Sequence, residues 1–290
     1  MQPKTAIPRF KHLTGICVPI RIVDVGANPI DDAPPYAMFL DDGDAEVVGF
    51  EPNPIALARL QRQKGPGETY MPNAIGDGCV HALHVCAAPG MTSLLEPDAA
   101  MLARFHGFAE WGRVIETTPV QTSRLDDIDE VRGADLLKID IQGGELMALQ
   151  HGERLLDDLV VVQAEVEFLA LYKDQPLFSD VERFMRAHGF MFHRFFPAVS
   201  RVVAPMLLGN DIYAGLSQLV WADAVFVRDF ARLDRLSERQ LLASATILHD
   251  CYGSLDLVMH LLCAHDSRSG GELAGRYLAG LQPRAEGLAA

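Results

Sequence analysis

From about residue 20 to residue 230 the chain alternates short, mostly apolar runs with segments of helical period, and few architectures accept that pattern. Apolar runs too short for helices and spaced by helical segments belong inside a parallel sheet with helices on both faces. The main runs are 20–25, 46–50, 135–141 and 159–166. Shorter strand candidates lie at 68–72, 80–86 and 114–120, and a final pair at 190–195 and 223–227 is joined by a Pro- and Gly-containing segment. Between them, Asn53 can cap a helix whose first turn holds Pro54, and another helix starts at Pro34 or Pro35. Ser179-Asp180-Val181-Glu182 reads as a capping box for a helix with Val181, Phe184 and Met185 inward. Residues 73–78 read as a loop and 89–112 as irregular or helical.

After Asp229 the texture changes. A second capping box, Ser237-Glu238-Arg239-Gln240, precedes Leu241, Leu242, Ala245 and Leu248, and then Leu255, Val258, Leu261 and Leu262, all at helical spacing. The chain therefore divides into an N-terminal extension (1–19), an α/β domain (20–232) and a helical C-terminal extension (233–290) that frays after Pro283. The helices of that extension carry more apolar surface than a lone helix can expose, so they pack on their own domain, cap the cleft or form a homodimer. A formal charge of −14 without any basic run argues against nucleic acid or an anionic membrane as the main partner. Five cysteines at spacings that match neither zinc sites nor a disulfide framework read as free thiols in a reducing compartment. No stretch has the length of a membrane span, and residues 1–15 lack the apolar core of a signal peptide, so the expected location is cytoplasmic. His81 and His84 stand three apart with no third ligand evident, and no metal is expected.

The chemistry concentrates at strand ends. Asp24-Val25-Gly26-Ala27-Asn28 closes the first run, where a doubly wound sheet binds nucleotide-type ligands. Gly26 allows close backbone approach, and Asn28 tolerates unusual angles while offering an amide. Glu51 closes the second run, about 27 residues after Asp24, where an acid can bond both hydroxyls of a ribose. The second and third glycines of the dinucleotide pattern are absent, being Asn28 and Asp31 here. A pyrophosphate needs those glycines; S-adenosylmethionine, which has no phosphate, does not.

The segments Val23–Asn28, Phe50–Pro54, Asn73–Asp77, Leu125–Ile128 and Leu137–Glu145 follow one another in an order that resembles the FkbM family of S-adenosylmethionine-dependent methyltransferases. The resemblance covers roughly residues 20–230. It implies a Rossmann-like seven-stranded methyltransferase sheet, mostly parallel with the last strand antiparallel, and Trp221–Val227 looks like that strand. It also implies S-adenosylmethionine as cofactor, with Asp24, Gly26 and Asn28 bordering the methionine part. Glu51 would hold the ribose with help from Asn53, and Asn73, Ala74 and Ile75 would lie along the adenine. Where the family carries a glycine two residues after the asparagine, this chain has Pro29-Ile30 and an acidic loop reaching Pro34-Pro35. The activity implied is O-methylation of a hydroxyl on a sugar or other small metabolite, so the partner is a small-molecule or glycan acceptor.

A hydroxyl acceptor must lose its proton as the new bond forms, which calls for a carboxylate within reach. Asp140 and Glu145 are the candidates, with Glu165 and Glu167 behind them. Met91–Glu96 and Phe105–Phe108 would form an acceptor lid. Two other readings stand beside this one: a nicotinamide-dependent oxidoreductase, and a non-catalytic binding module built on the same fold.

Overall fold

The computed structural model describes residues 7–28 and 33–282. The chain-order elements are α1 (Phe10–Thr14), β1 (Ile20–Val25), α2 (Ala37–Asp41), β2 (Ala45–Phe50), α3 (Pro54–Gln63), β3 (Glu68–Met71), β4 (Ala74–Ile75) and β5 (Val80–Cys86). They continue with α4 (Ala99–Leu102), α5 (Phe108–Trp111), β6 (Val114–Ser123), β7 (Leu136–Ile139), α6 (Glu145–Gln150), α7 (Glu153–Asp158), β8 (Val161–Glu167) and α8 (Phe178–Ala187). The last are β9 (Phe190–Arg201), β10 (Gln218–Arg228), α9 (Glu238–Asp250), α10 (Leu255–Ser269) and α11 (Leu273–Leu281).

The apolar runs become a seven-stranded sheet in the order β3-β2-β1-β7-β8-β10-β9. β1 pairs parallel with β7 and β7 with β8, whereas β10 pairs antiparallel with both β8 and β9. The order reverses between β1 and β7, so their carboxyl ends diverge into the crevice where doubly wound sheets bind ligands. Val23, Val25, Leu137, Ile139, Val162, Ala164 and Phe226 are buried in one core with Leu149 of α6, Leu156 of α7 and Met185 of α8. On the alternate positions Ile22, Leu136, Val161 and Val225 are also apolar and buried, and polar residues appear toward the carboxyl ends of the parallel strands. Asp24 is in register with Lys138, Lys138 with Gln163, and Glu165 with Asp223.

Several local expectations change. Residues 73–78 are not all loop, because Ala74 and Ile75 pair with Thr122 and Ser123. With the antiparallel β5–β6 pair they make a separate three-stranded sheet. Ser179 does not cap α8: the cap position is Leu177, whose N–H donates to the Asp180 carboxylate at 3.0 Å. Asp180, rather than the Glu182 of the proposed box, thus closes the first turn of a helix that starts two residues earlier. α2 starts at Ala37, one turn after the Pro34-Pro35 pair, with its Ala37 N–H bonded to the Pro34 carbonyl. Asn53 caps α3 as expected, accepting from Ile55 and Ala56 N–H, and Ser237 and Gln240 close the box on α9. The Pro29-Ile30 departure, most of the acidic loop after it, and the tail beyond 282 lie outside the described residues.

The chain forms two compact units. One holds residues 21–33 and 46–228 and contains the sheet. The other gathers three separate stretches, 1–20, 34–45 and 229–290, so the C-terminal helices share a unit with α1 and α2. In this second unit Phe10 is fully buried near the rings of His249 and Tyr277. His249 is held on both sides, by the Tyr277 hydroxyl at 2.8 Å and by the Pro8 carbonyl at 2.9 Å. Arg9 bridges Asp42 at 2.7 Å and Asp250 at 3.0 Å. Leu241, Leu248, Val258, Leu261 and Leu262 are buried within the single chain. Among the described residues no helix is long and apolar enough to cross a membrane.

Candidate functional site

β1 ends by turning at Gly26, with φ +81°. A Cβ there would lie 1.9 Å from the carbonyl oxygen of Asp140, so the glycine is required by the approach of the β1 turn to the end of β7. The Asp140 N–H donates to the Val25 carbonyl at 3.0 Å and fixes the same junction. The N–H groups of Gly26 and Ala27 both donate to the Phe50 carbonyl, at 3.0 and 3.1 Å. This ties the first turn to the end of β2 and commits the two N–H groups that a pyrophosphate would need. Asn28 lies half-buried just beyond.

Asp24 is buried and faces Lys138, whose Nζ is 3.4 Å away. Glu51, 6% exposed, sits at the end of β2. One of its oxygens accepts the Asn53 N–H at 2.7 Å, and no other hydrogen-bond partner is present among the described residues. Burial raises its pKa, the Asn53 N–H opposes that, and the charge of Asp24 adds to it. A carboxylate held by one N–H, with its other oxygen uncommitted, suits a vicinal pair of hydroxyl donors such as those of a ribose. Asn53 carries two duties, positioning Glu51 through its backbone and capping α3 through its side chain. Asn73 donates to Ser123 Oγ at 2.9 Å, Ala74 is half-buried, and Ile75 is buried in the main core.

The end of β7 leads into a tight loop. Gln142 and Gly143 both have positive φ, +57° and +97°. Glu145, 3% exposed, turns back into this loop. Its two oxygens accept the N–H groups of Ile141 at 2.7 Å and Gly143 at 2.9 Å. Burial pushes its carboxyl up to about 7, against the pull of those N–H donors. Asp140 is half-buried, with one oxygen accepting from Gln142 Nε2 at 2.9 Å. The same nitrogen donates to Glu165 at 2.7 Å. Burial first, and then the neighbouring charges of Asp140, Glu167 and Glu145, hold the Glu165 carboxyl well above the usual range. Glu167 is raised likewise, by burial and by Glu145 and Asp140. Asp223 is pushed up to about 6 by burial and Asp140, with Lys138 opposing.

The structure therefore brings Asp140, Glu145, Glu165 and Glu167 together. Oxygens of the first three lie within 4.8 Å of one another, close enough to share a cation. Asp140 and Glu165 instead share the Gln142 amide, and Glu145 is engaged by backbone N–H groups. Sequence reasoning passed over Lys138, Gln142 and Asp223. The signal for Lys138 was present as a lone cation inside an apolar run; the roles of the others need cross-strand register.

Above the sheet ends, Leu102, Phe105 and Phe108 form a second core with Leu171, Tyr172 and Val220. The segment expected to cover the acceptor is thus anchored. Ser93 Oγ donates to the Gln142 carbonyl at 2.7 Å, and the Tyr172 hydroxyl donates to the Met91 carbonyl at 3.2 Å. Phe105 bridges to Val203, His106 Nε2 donates to the Met206 carbonyl at 2.9 Å, and Trp111 stacks on Tyr213 at 5.4 Å.

Compared with known proteins, residues 24–192 match the family model described as the methyltransferase FkbM domain. No curated protein matches the chain. Among solved structures, an uncharacterized protein from Listeria monocytogenes serotype 4b is similar at 9% identity and a TM-score of 0.38, covering 96% of this chain and 98% of that one. A putative methyltransferase from Thermoplasma acidophilum is similar at 10% identity and a TM-score of 0.34, covering 74% and 70%. LepI in complex with SAM is similar at 10% identity and 0.32, with 78% of this chain matched to 50% of that one.

Proposed function

This chain belongs to the methyltransferase FkbM family, and we propose that it methylates a hydroxyl group on a sugar or another small metabolite. It is an S-adenosylmethionine-dependent methyltransferase. The observation that carries the cofactor reading within the site is the pairing of Gly26 and Ala27 N–H with Phe50, because it commits those two N–H groups of the first turn to the protein itself. That favours a phosphate-free ligand over a nicotinamide dinucleotide. Glu51 bonds the ribose, Asp24, Gly26 and Asn28 border the methionine part, and Asn73, Ala74 and Ile75 lie along the adenine. Calorimetric titration tests this: S-adenosylmethionine binds and NAD does not, and the reverse result removes the reading.

When bound, S-adenosylmethionine would supply to the acceptor oxygen a methyl group activated by a positively charged sulfur, which would leave as the neutral thioether. The protein's own part is alignment and proton removal. Asp140 accepts the hydroxyl proton, since its half-buried carboxylate ends β7 beside the first turn. Glu145 shapes the loop that presents it, because both of its oxygens are bonded to that loop's backbone. The lid segments 91–96 and 105–108 exclude water. Labelled S-adenosylmethionine incubated with a panel of glycans and small hydroxylated compounds tests the acceptor class; label transferred only to nitrogen acceptors removes it. A homodimer through the C-terminal helices is part of the proposal, with Leu278 of α11, 49% exposed, as the apolar position open to a second copy. Scattering that returns the mass of one chain removes that part.

A further inference from the structure

The loop after β7 pays for an uncommon backbone at Gln142. A residue with a side chain at φ +57° costs free energy that glycine or asparagine would largely avoid. The side chain kept there is also bonded at both ends. Nε2 donates to Asp140 Oδ1 at 2.9 Å and to Glu165 Oε2 at 2.7 Å, using both amide hydrogens on two different carboxylates. Oε1 lies 3.3 Å from the Tyr172 hydroxyl, and the Gln142 carbonyl accepts from Ser93 at 2.7 Å. Two acidic side chains from adjacent strands would otherwise repel each other across this gap. A neutral amide occupies the place where a cation would be expected.

We propose that Gln142 is a positioning residue for methyl transfer, whose single amide nitrogen clamps Asp140 and Glu165 together and leaves Asp140 aimed at the acceptor hydroxyl. The inference rests on the assignment of Asp140 as proton acceptor. The clamp does with two hydrogen bonds what a bridging cation would do with charge, and it adds no positive charge near the methyl donor's sulfonium. Other charged groups face the pair from every side: Glu145 from α6, Glu167 from β8, Asp223 from β10 and Lys138 from β7. None of these supplies a hydrogen bond to both carboxylates among the described residues.

The test uses the free full-length protein, without cofactor or acceptor, carrying carbon-13 at the Asp and Glu carboxyls. Carboxyl resonances are followed against pH, with Glu165→Gln assigning the Glu165 signal. Gln142→Gly removes the side chain and suits the positive φ, so backbone strain does not confuse the result. Gln142→Asn, which also tolerates that φ and is too short to span both carboxylates, serves if the glycine variant fails to fold. Loss of the donor removes a bond to the charged form of Glu165, and its midpoint rises by about one pH unit, about tenfold in proton affinity. An unchanged or lowered midpoint overturns the clamp. A merely structural role in the loop would lower the melting temperature by the same amount at every pH and leave this midpoint in place. Failure of the methyl-transfer reading is seen separately, as absence of S-adenosylmethionine binding in the calorimetric titration.

Discussion

At the scale of single residues, the site is built from groups whose neighbours come from distant strands, and this decides what a sequence can disclose. Gly26 could be picked out as a turn glycine, but the reason for it is the Asp140 carbonyl, contributed by a strand more than a hundred residues later. Gly26→Ala is expected to lower stability by about 3 kcal/mol or more, since a strained φ is added to an overlap with backbone that cannot move aside; urea unfolding measures it. Glu51→Ala should weaken S-adenosylmethionine binding by roughly 10- to 100-fold, the worth of hydrogen bonds to a charged group, and unchanged calorimetric affinity removes the ribose assignment. The buried carboxylates predict a pH response of definite sign. In the unfolded chain they release protons near pH 4, whereas in the fold Asp223 holds its proton to about 6 and Glu145 to about 7, with Glu165 beyond the usual range. The folded state binds more protons between those values, so stability falls as pH rises from about 4 through 7. The melting temperature should accordingly be lower at pH 8 than at pH 5.5, and Glu165→Gln should narrow the gap. An equal gap in the variant would count against the charged cluster. Gln142 was not legible beforehand, because its φ leaves no mark in the sequence and the second of its carboxylate partners, Glu165, comes from the next strand of the sheet.

Among the elements, those with strong local chemistry were legible and those fixed by pairing were not. The cap at Asn53 and the box at Ser237 act within one turn, so residue type and spacing suffice. Ser237→Ala should cost about 1 kcal/mol, a fall of about 2–4 °C in melting temperature for a chain of this size, measurable by calorimetry; no change would mean that α9 is held by packing alone. The box at Ser179 misled because Asp180 reaches back to Leu177 and starts α8 earlier. β4 escaped notice for the opposite reason: two residues carry no period, and only pairing with Thr122 and Ser123 makes them a strand. β9 and β10 extend well past their apolar cores, to Arg201 and back from Gln218, because each provides the other's hydrogen-bond partners across several irregular steps.

At the scale of the whole molecule, the order of elements pointed to a doubly wound sheet and the family resemblance implied seven strands with the last antiparallel, and the strands have that arrangement. Hydrophobic period could not show that the C-terminal helices would join α1 and α2 in a second unit, since that depends on stretches far apart along the chain. Removing everything after Asp234 deletes His249, Asp250 and Tyr277, and with them the rings beside Phe10 and one of the two carboxylates bridged by Arg9. The truncated chain is expected to expose that apolar surface and aggregate, and scattering that shows a well-behaved particle would contradict the account. The antiparallel β10 has a further consequence, for the time course of synthesis. Every residue proposed to hold the cofactor lies in the chain up to Ile75, and the strand that fixes the first turn is complete by Asp140. The anchors of the lid come much later: Phe105 and Trp111 wait for Val203 and Tyr213, and Leu102 and Phe108 for Val220. A nascent chain thus carries the residues proposed for its donor pocket before it carries those that anchor the lid.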